Sequence, residues 1–193
     1  MITATESRHS KETNITVTIL PEDGQMKIST GIGFFDHMLT ALSVHSKIPM
    51  VIEAVGDLHV DAHHTVEDTG IVLGRALNKA LGDKTGIVRY GSAYIPMDES
   101  LAFCCVDICD RPFLVFNGEF TNDMIGAYDT CLTEEFLRAL AFNAGLTLHL
   151  NILYGKNDHH KTEAAFKALA HALRIASAPT GDGTAFSTKG MIG

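Results

Sequence analysis

Polar and apolar residues alternate through positions 14–20 (NITVTIL), which predicts a strand with one face buried. Pro21-Glu22-Asp23-Gly24 follows as a turn, and positions 25–30 are expected to return as the partner strand. Beyond glycines 31 and 33 the period lengthens. Positions 35–45 read as a short helix and 50–55 as a strand. A longer helix opens in positions 61–68 (DAHHTVED), where Val66, Gly70, Leu73, Leu77 and Ala80 share one face and Gly82 marks the end.

The second half repeats this plan. Positions 87–97, 101–108 and 112–116 read as strands, 134–143 as a helix and 146–153 as a strand. A final helix follows Asp158, with Phe166, Leu169, Leu173 and Ala176 on one face. Positions 35–57 lie over 134–156 without a gap, which sets Gly56 on Gly155. Two pentads carry the repeat further: His63-His64-Thr65-Val66-Glu67 and His159-His160-Lys161-Thr162-Glu163. The pattern implies an α+β fold built from a duplicated unit of β-sheet backed by helices. Its halves are residues 1–90 and 91–178. The Gly-, Ser- and Thr-rich tail, 179–193, is expected to be mobile until a ligand holds it.

Composition narrows the classes. The chain has 193 residues, 46% apolar and 20% charged, with a net charge of −8. That is a globular balance of a size for one domain. An acidic chain with no Lys/Arg block is a poor partner for nucleic acid or anionic membrane. No apolar run reaches the roughly 18 residues of a membrane span. The polar stretch 1–11 has no signal-peptide core, so a cytoplasmic location is expected. Cys104, Cys105, Cys109 and Cys131 match no metal or redox spacing and are expected as reduced thiols. Trp is absent, whereas there are ten histidines.

The pentads are where those histidines carry chemistry. Positions i and i+4 of a helix share a face, with Cβ atoms about 5–6 Å apart. His63 with Glu67, and His159 with Glu163, can therefore each offer an imidazole and a carboxylate to one divalent metal. His64 and His160 point a quarter-turn away, toward a second ion. Asp61 and Asp158 are placed to orient a ligating ring through its other N–H. One such pair alone would be an ordinary solvated contact, but two in matching halves make a duplicated metal site. His37, in the short helix, and His149, in the strand Thr147-Leu148-His149-Leu150, are further candidates. Imidazole and carboxylate without thiolate suit Mn, Fe, Co, Ni or Zn. His9, His59 and His171 read as surface or cap residues, and His45 as a partner of its helix C-terminus. Arg89, Arg111, Lys167 and Lys189 are scattered cations that together would make an anion pocket. Ser187-Thr188-Lys189-Gly190 suits a loop closing over a phosphate. Lys79 and Lys84 read as ordinary helix-end charges.

Longer motifs add a resemblance. Gly33-Phe34-Phe35-Asp36-His37-Met38-Leu39, Asp61 through Asp68, Arg89-Tyr90-Gly91, Met97-Asp98-Glu99, Asn143 through His149, His159 through Lys167 and Ser187 through Gly190 occur in order. From about Glu6 to the C-terminus the chain resembles the imidazoleglycerol-phosphate dehydratase family of histidine biosynthesis.

The resemblance implies a fold related to the ribosomal protein S5 domain 2-like superfamily, and trimers assembling into a 24-mer with sites between subunits. It implies a lyase that dehydrates imidazole glycerol phosphate to imidazole acetol phosphate. Two Mn ions would hold the substrate imidazole as imidazolate while a carboxylate removes the C2 proton. The ligands it implies are His37, His63, His64, Glu67, His149, His159, His160 and Glu163. Substrate contacts fall on Glu12, the segment from His37 to His45, Arg89, Arg111, Lys167, Ser187, Thr188 and Lys189, with Glu12 as acid/base. Two positions depart from the family pattern: Ala41, where many members have Gln, and Asp110, where many have Gly. The same donors would also serve a di-metal hydrolase, or a non-enzymatic module whose metals clip subunits together.

Overall fold

In the two larger sheets, alternation along each strand decides which face is buried. The computed structural model describes residues 1–181, 183, 184, 186 and 187. Its first sheet comprises β1 (Ala4–His9), β2 (Thr13–Ile19), β3 (Lys27–Ser29) and β4 (Met50–Gly56). Its helix α1 (Gly33–Ser46) lies between β3 and β4, and α2 (His63–Leu81) follows. The second sheet comprises β5 (Tyr90–Met97), β6 (Ser100–Ile108), β7 (Phe113–Asn117) and β10 (Leu146–Tyr154). A small hairpin, β8 (Met124–Ile125) with β9 (Tyr128–Asp129), precedes α3 (Leu132–Ala144), and α4 (Asp158–Ala176) closes the helical set. Thr13, Ile15, Val17 and Ile19 of β2 are buried, while Asn14 is exposed and Thr16 and Thr18 are half-buried. In β6 the buried set is Ser100, Ala102, Cys104, Val106 and Ile108.

The sheet orders are β1-β2-β4-β3 and β5-β6-β10-β7. In each, two antiparallel pairings are followed by one parallel pairing at the far edge. This is one plan used twice, the duplicated α+β unit expected from the pentads. α2 packs on β1 and β2, α4 on β5 and β6, and the helices pair as α2 with α3 and α1 with α4. Leu42 of α1, Leu73 and Leu77 of α2, Leu140 of α3 and Leu173 of α4 meet around one small apolar void. The helices thus form a middle layer, with the buried face of one sheet on each side.

Two expectations for the first sheet are corrected. Residues 25–30 do not return beside β2; β3 pairs in parallel with β4, Ile28 opposite Ile52. A parallel pair needs a crossover, and α1 supplies it. The residues before Lys11 are also not a bare polar lead. β1 pairs with β2 from Ala4↔Ile19 to His9↔Asn14. Only Ala4 of β1 is fully buried, because β1 is an edge strand, so its sequence carries little apolar signal.

Both pentads open helices in the same way. Asp61 Oδ1 accepts the His63 backbone N–H at 2.7 Å, and Asn157 Oδ1 accepts that of His159 at 2.9 Å. The matched glycines admit the first turn of α2 on one side and β6 on the other. A Cβ on Gly56 would lie 2.0 Å from Thr65 Oγ1, and one on Gly155 would lie 2.2 Å from Ser100 Oγ. All four cysteines are free thiols. Among the described residues no helix is long and apolar enough to cross a membrane.

The middle layer is filled by rings. Phe136 meets Phe35 edge-on and stacks on Phe166, each at 5.3 Å between centroids, and Phe35 stacks on Tyr128 at 5.9 Å. All four are fully buried. Phe136→Ala is expected to cost about 3–5 kcal/mol, read as a lower thermal midpoint; an unchanged midpoint would contradict this role.

Candidate functional site

The candidate side chains fall into three groups. The first lies where α1 runs beside α4. His37 faces Glu163 and His45 faces His171, a constant offset of 126 positions, so the two helices run parallel and in register. His37 Nε2 and His159 Nε2 lie 3.4 and 3.3 Å from the same oxygen, Glu163 Oε2. Among the described residues these three offer donor atoms within 4.8 Å of one another. The other oxygen, Oε1, takes Lys167 Nζ at 2.6 Å. Phe34 packs edge-on against His159, with centroids 4.9 Å apart, and lies beside His37. Burial is the strongest influence on Glu163 and pushes its pKa up. Lys167 and His37 outweigh it, and the net shift is downward.

The second group surrounds the start of α2. His63 Nε2 lies 3.8 Å from Glu67 Oε2. His64 donates through Nδ1 to Asp57 Oδ2 at 3.0 Å, and its Nε2 faces Glu12 Oε1 at 4.0 Å. The second pentad repeats this arrangement. His160 Nδ1 donates to Glu99 Oε2 at 2.7 Å, and its Nε2 faces Asp98 Oδ2 at 3.7 Å. Glu99 Oε1 also accepts the backbone N–H groups of Lys156 and Asn157. Those backbone donors, with His160, hold Glu99 well below the usual carboxylate range. The carboxylates raise the pKa of His64 and His160 in turn.

This corrects the orienting residues. Asp61 spends an oxygen on the His63 backbone. Asp158 is buried and accepts from Thr121, Asn122 and Lys161. The ring partners are Asp57 and Glu99. Glu99 arrives from the β5–β6 hairpin, 61 positions from His160, so no local spacing announces it.

The third group lies on the outer face of the second sheet. Arg89 is buried, not a solvated charge. Its Nε and Nη2 bond Asp107 at 2.7 and 3.1 Å, and Nη1 donates to the Phe186 carbonyl at 2.8 Å. Arg111 Nη2 lies 3.8 Å from Asp107. His149 is exposed on this face, opposite Cys105, and Thr147 sits opposite Asp107. The buried face of that sheet holds α4, so within one chain His149 is on the far side from His159 and Glu163. Ser187 follows Phe186, whereas Thr188 and Lys189 lie outside the described residues.

One further reading changes, that of Lys84, and the surroundings of His45 and Ala41 are now defined. His45 lies in the last turn of α1, as expected, and also meets His171, their rings 5.5 Å apart. Burial, then Lys167 and His171, lowers the His45 pKa. Lys84 is buried and paired with Asp110, so it is no surface charge. Ala41 is buried at the position between His37 and His45 that faces Lys167 in the helix register.

The molecule so described is a duplicated α+β chain whose clustered chemistry is imidazole and carboxylate. Residues 30–173 match the model of the imidazoleglycerol-phosphate dehydratase family. Proteins of that name from Rhodopseudomonas palustris and Lacticaseibacillus casei are 54% and 53% identical, each over the full length of both chains. Crystal structures of the enzymes from Staphylococcus aureus and Pyrococcus furiosus superpose with a TM-score of 0.85 each. They are 43% and 37% identical and match over 93% and 97% of this chain and all of theirs. The chain belongs to the imidazoleglycerol-phosphate dehydratase family, and it is a carbon–oxygen hydro-lyase of histidine biosynthesis.

The histidine environments predict a titration order in chelator-treated protein. His64 and His160, whose charged forms are favoured by carboxylates, titrate above 6.5, and His45, disfavoured by burial, titrates below it. His64 and His160 contribute stability with the sign of a raised pKa: present below pH 6.5 and lost as pH rises through the folded value. Glu99→Gln should bring His160 back toward 6.5 in an NMR titration. An unmoved His160 would contradict the Glu99 contact.

Proposed function

We propose that this chain removes water from imidazole glycerol phosphate to give imidazole acetol phosphate, at a site assembled from its three groups on neighbouring copies. The observation that carries the reading is the convergence of two imidazole Nε2 atoms on one carboxylate oxygen, at His37, His159 and Glu163. That donor set fits a hard-to-borderline divalent ion such as Mn. The carboxylates on His64 and His160 occupy Nδ1 and leave Nε2 available, the usual arrangement behind a ligating histidine.

The residues that would hold two Mn ions are His37, His63, His64, Glu67, His149, His159, His160 and Glu163. Bound there, the ions supply Lewis acidity and orient the substrate imidazole. The chain's own groups do the rest. Glu12 removes the C2 proton, that proton leaves with the substrate's hydroxyl as water, and the enol that results tautomerises to the ketone. Lys167, Arg111 and Lys189 supply positive charge for the phosphate, with His45, Ser187 and Thr188 as polar contacts. Arg89 ties the backbone just before Ser187 to the second sheet, and closure of the 187–190 loop would exclude water.

Support for a site between subunits is the position of His149, on the sheet face away from both pentads. We propose trimers that join into a 24-mer so that this face of one copy meets the helix N-termini of another. A cytoplasmic location accords with four free thiols.

Chelator-stripped protein should convert imidazole glycerol phosphate to a product lighter by one water only when Mn is returned, followed by mass. Release of inorganic phosphate would identify a hydrolase instead. Metal-dependent assembly without turnover would identify a structural clip. His63→Ala and His160→Ala should lose metal and activity together, and full activity in either would remove it from the ligand set. Glu12→Gln should keep its metal and lose about 10²–10⁴-fold in kcat; an unchanged rate would remove it as acid/base.

A further inference from the structure

We infer that Asp68, with Arg8 and Thr13, is the positioning device for Glu12. This inference rests on reading Glu12 as the acid/base group. Glu12 lies in the tight connection between β1 and β2 and is itself exposed. Ser10 closes that connection. Its Oγ accepts the backbone N–H of Glu12 at 3.1 Å and of Thr13 at 3.0 Å, and its own N–H donates to the Thr13 carbonyl at 2.9 Å.

The turn is then fastened to α2. Thr13 is buried, and its Oγ1 donates to Asp68 Oδ2 at 2.6 Å. Arg8 Nε lies 2.7 Å from Asp68 Oδ1 as an ion pair. Both oxygens of a buried carboxylate are thereby engaged, one by the strand entering the turn and the other by the strand leaving it. A buried carboxylate is costly without such partners, so the contact is held firmly.

Helix geometry connects this fastening to the chemistry. Asp68 is four residues after His64, so the two share a face of α2. Asp68 grips Thr13, and His64 faces Glu12 with Nε2 and Oε1 4.0 Å apart. Two neighbouring residues of the turn thus meet two neighbouring rungs of one helix. Thr13 also pairs with Gly56, next to Asp57, which holds the other nitrogen of the His64 ring. With Thr13 fixed, the backbone of Glu12 is fixed relative to His63, His64 and Glu67. An exposed, flexible glutamate could not otherwise keep one distance to that group, and small misplacements of a catalytic group cost large factors in rate.

Thr13→Val keeps the side-chain shape and removes the hydroxyl. It should lower kcat by about ten-fold or more while KM and bound Mn stay at wild-type values, and Thr13→Ser should restore kcat. In a Glu12→Gln background Thr13→Val should have no further effect, because the group it positions is gone. Asp68→Asn, read in the same way, is the second variant if Thr13→Val does not assemble. The inference is overturned if both variants keep wild-type kcat. It is also overturned if either lowers the residual turnover of Glu12→Gln by the factor seen in wild type, which marks a general structural effect. Wild-type kcat in Glu12→Gln would overturn the acid/base reading and this inference with it. A loss in Glu12→Gln without one in Thr13→Val or Asp68→Asn would remove the positioning device alone.

Discussion

Helices α1 to α4 share a single apolar interior between the two four-stranded sheets, and this burial dictates where polar chemistry can sit. α2 and α4 are buried over most of their surface, and the charged residues buried on them, Asp68, Asp158, Lys161 and Glu163, are all paired. The pentads occupy their first turns, where the helices emerge and backbone N–H groups still need acceptors. Glu163 shows how strictly the constraint operates. It is 7% exposed and is kept a carboxylate by Lys167 and His37, which face it. If those partners are removed, burial alone favours its neutral form.

Duplication supplies the scaffold twice but the chemistry unequally. The gap-free overlay of the halves places His37 of α1 on Phe136 of α3. His37 points at Glu163 of the other half, whereas Phe136 is sealed among Phe35 and Phe166. The His159 pentad therefore gains a third donor within the chain. Both pentads face two carboxylates from outside their helix, Glu12 and Asp57 at the first and Asp98 and Glu99 at the second. Equivalent helices thus carry inequivalent sites, the second holding one more imidazole, His37, and an ammonium, Lys167.

What the sequence disclosed follows from how local each signal is. The pentads, the helices they open and the alternating strands could be read because their periods lie within a few turns or residues. The His37–Glu163 contact could not, since it depends on α1 and α4 packing in parallel register. β1 was hidden because an edge strand buries little. β3 was misassigned because a turn followed by a strand looks alike whether it returns beside β2 or crosses over to β4. Asp57 and Asp107 carry no signal in the sequence and Glu99 shows only as part of a motif, because each works through a partner in another element. For Asp61 and Asp158, local spacing pointed the wrong way: nearby backbone N–H groups claimed them first.

The account depends most on catalysis occurring between copies of the chain, with the α2 group of one meeting the α4 group of another. The direct measurement is complementation. Glu67→Gln and Glu163→Gln chains are co-expressed so that they assemble together, and dehydration is compared with each variant assembled alone. Sites shared between copies predict two inactive parents and a mixed assembly with about a quarter of wild-type activity, since random mixing leaves that share of sites intact. A mixed assembly as inactive as its parents would place both groups in one chain's site and contradict the account.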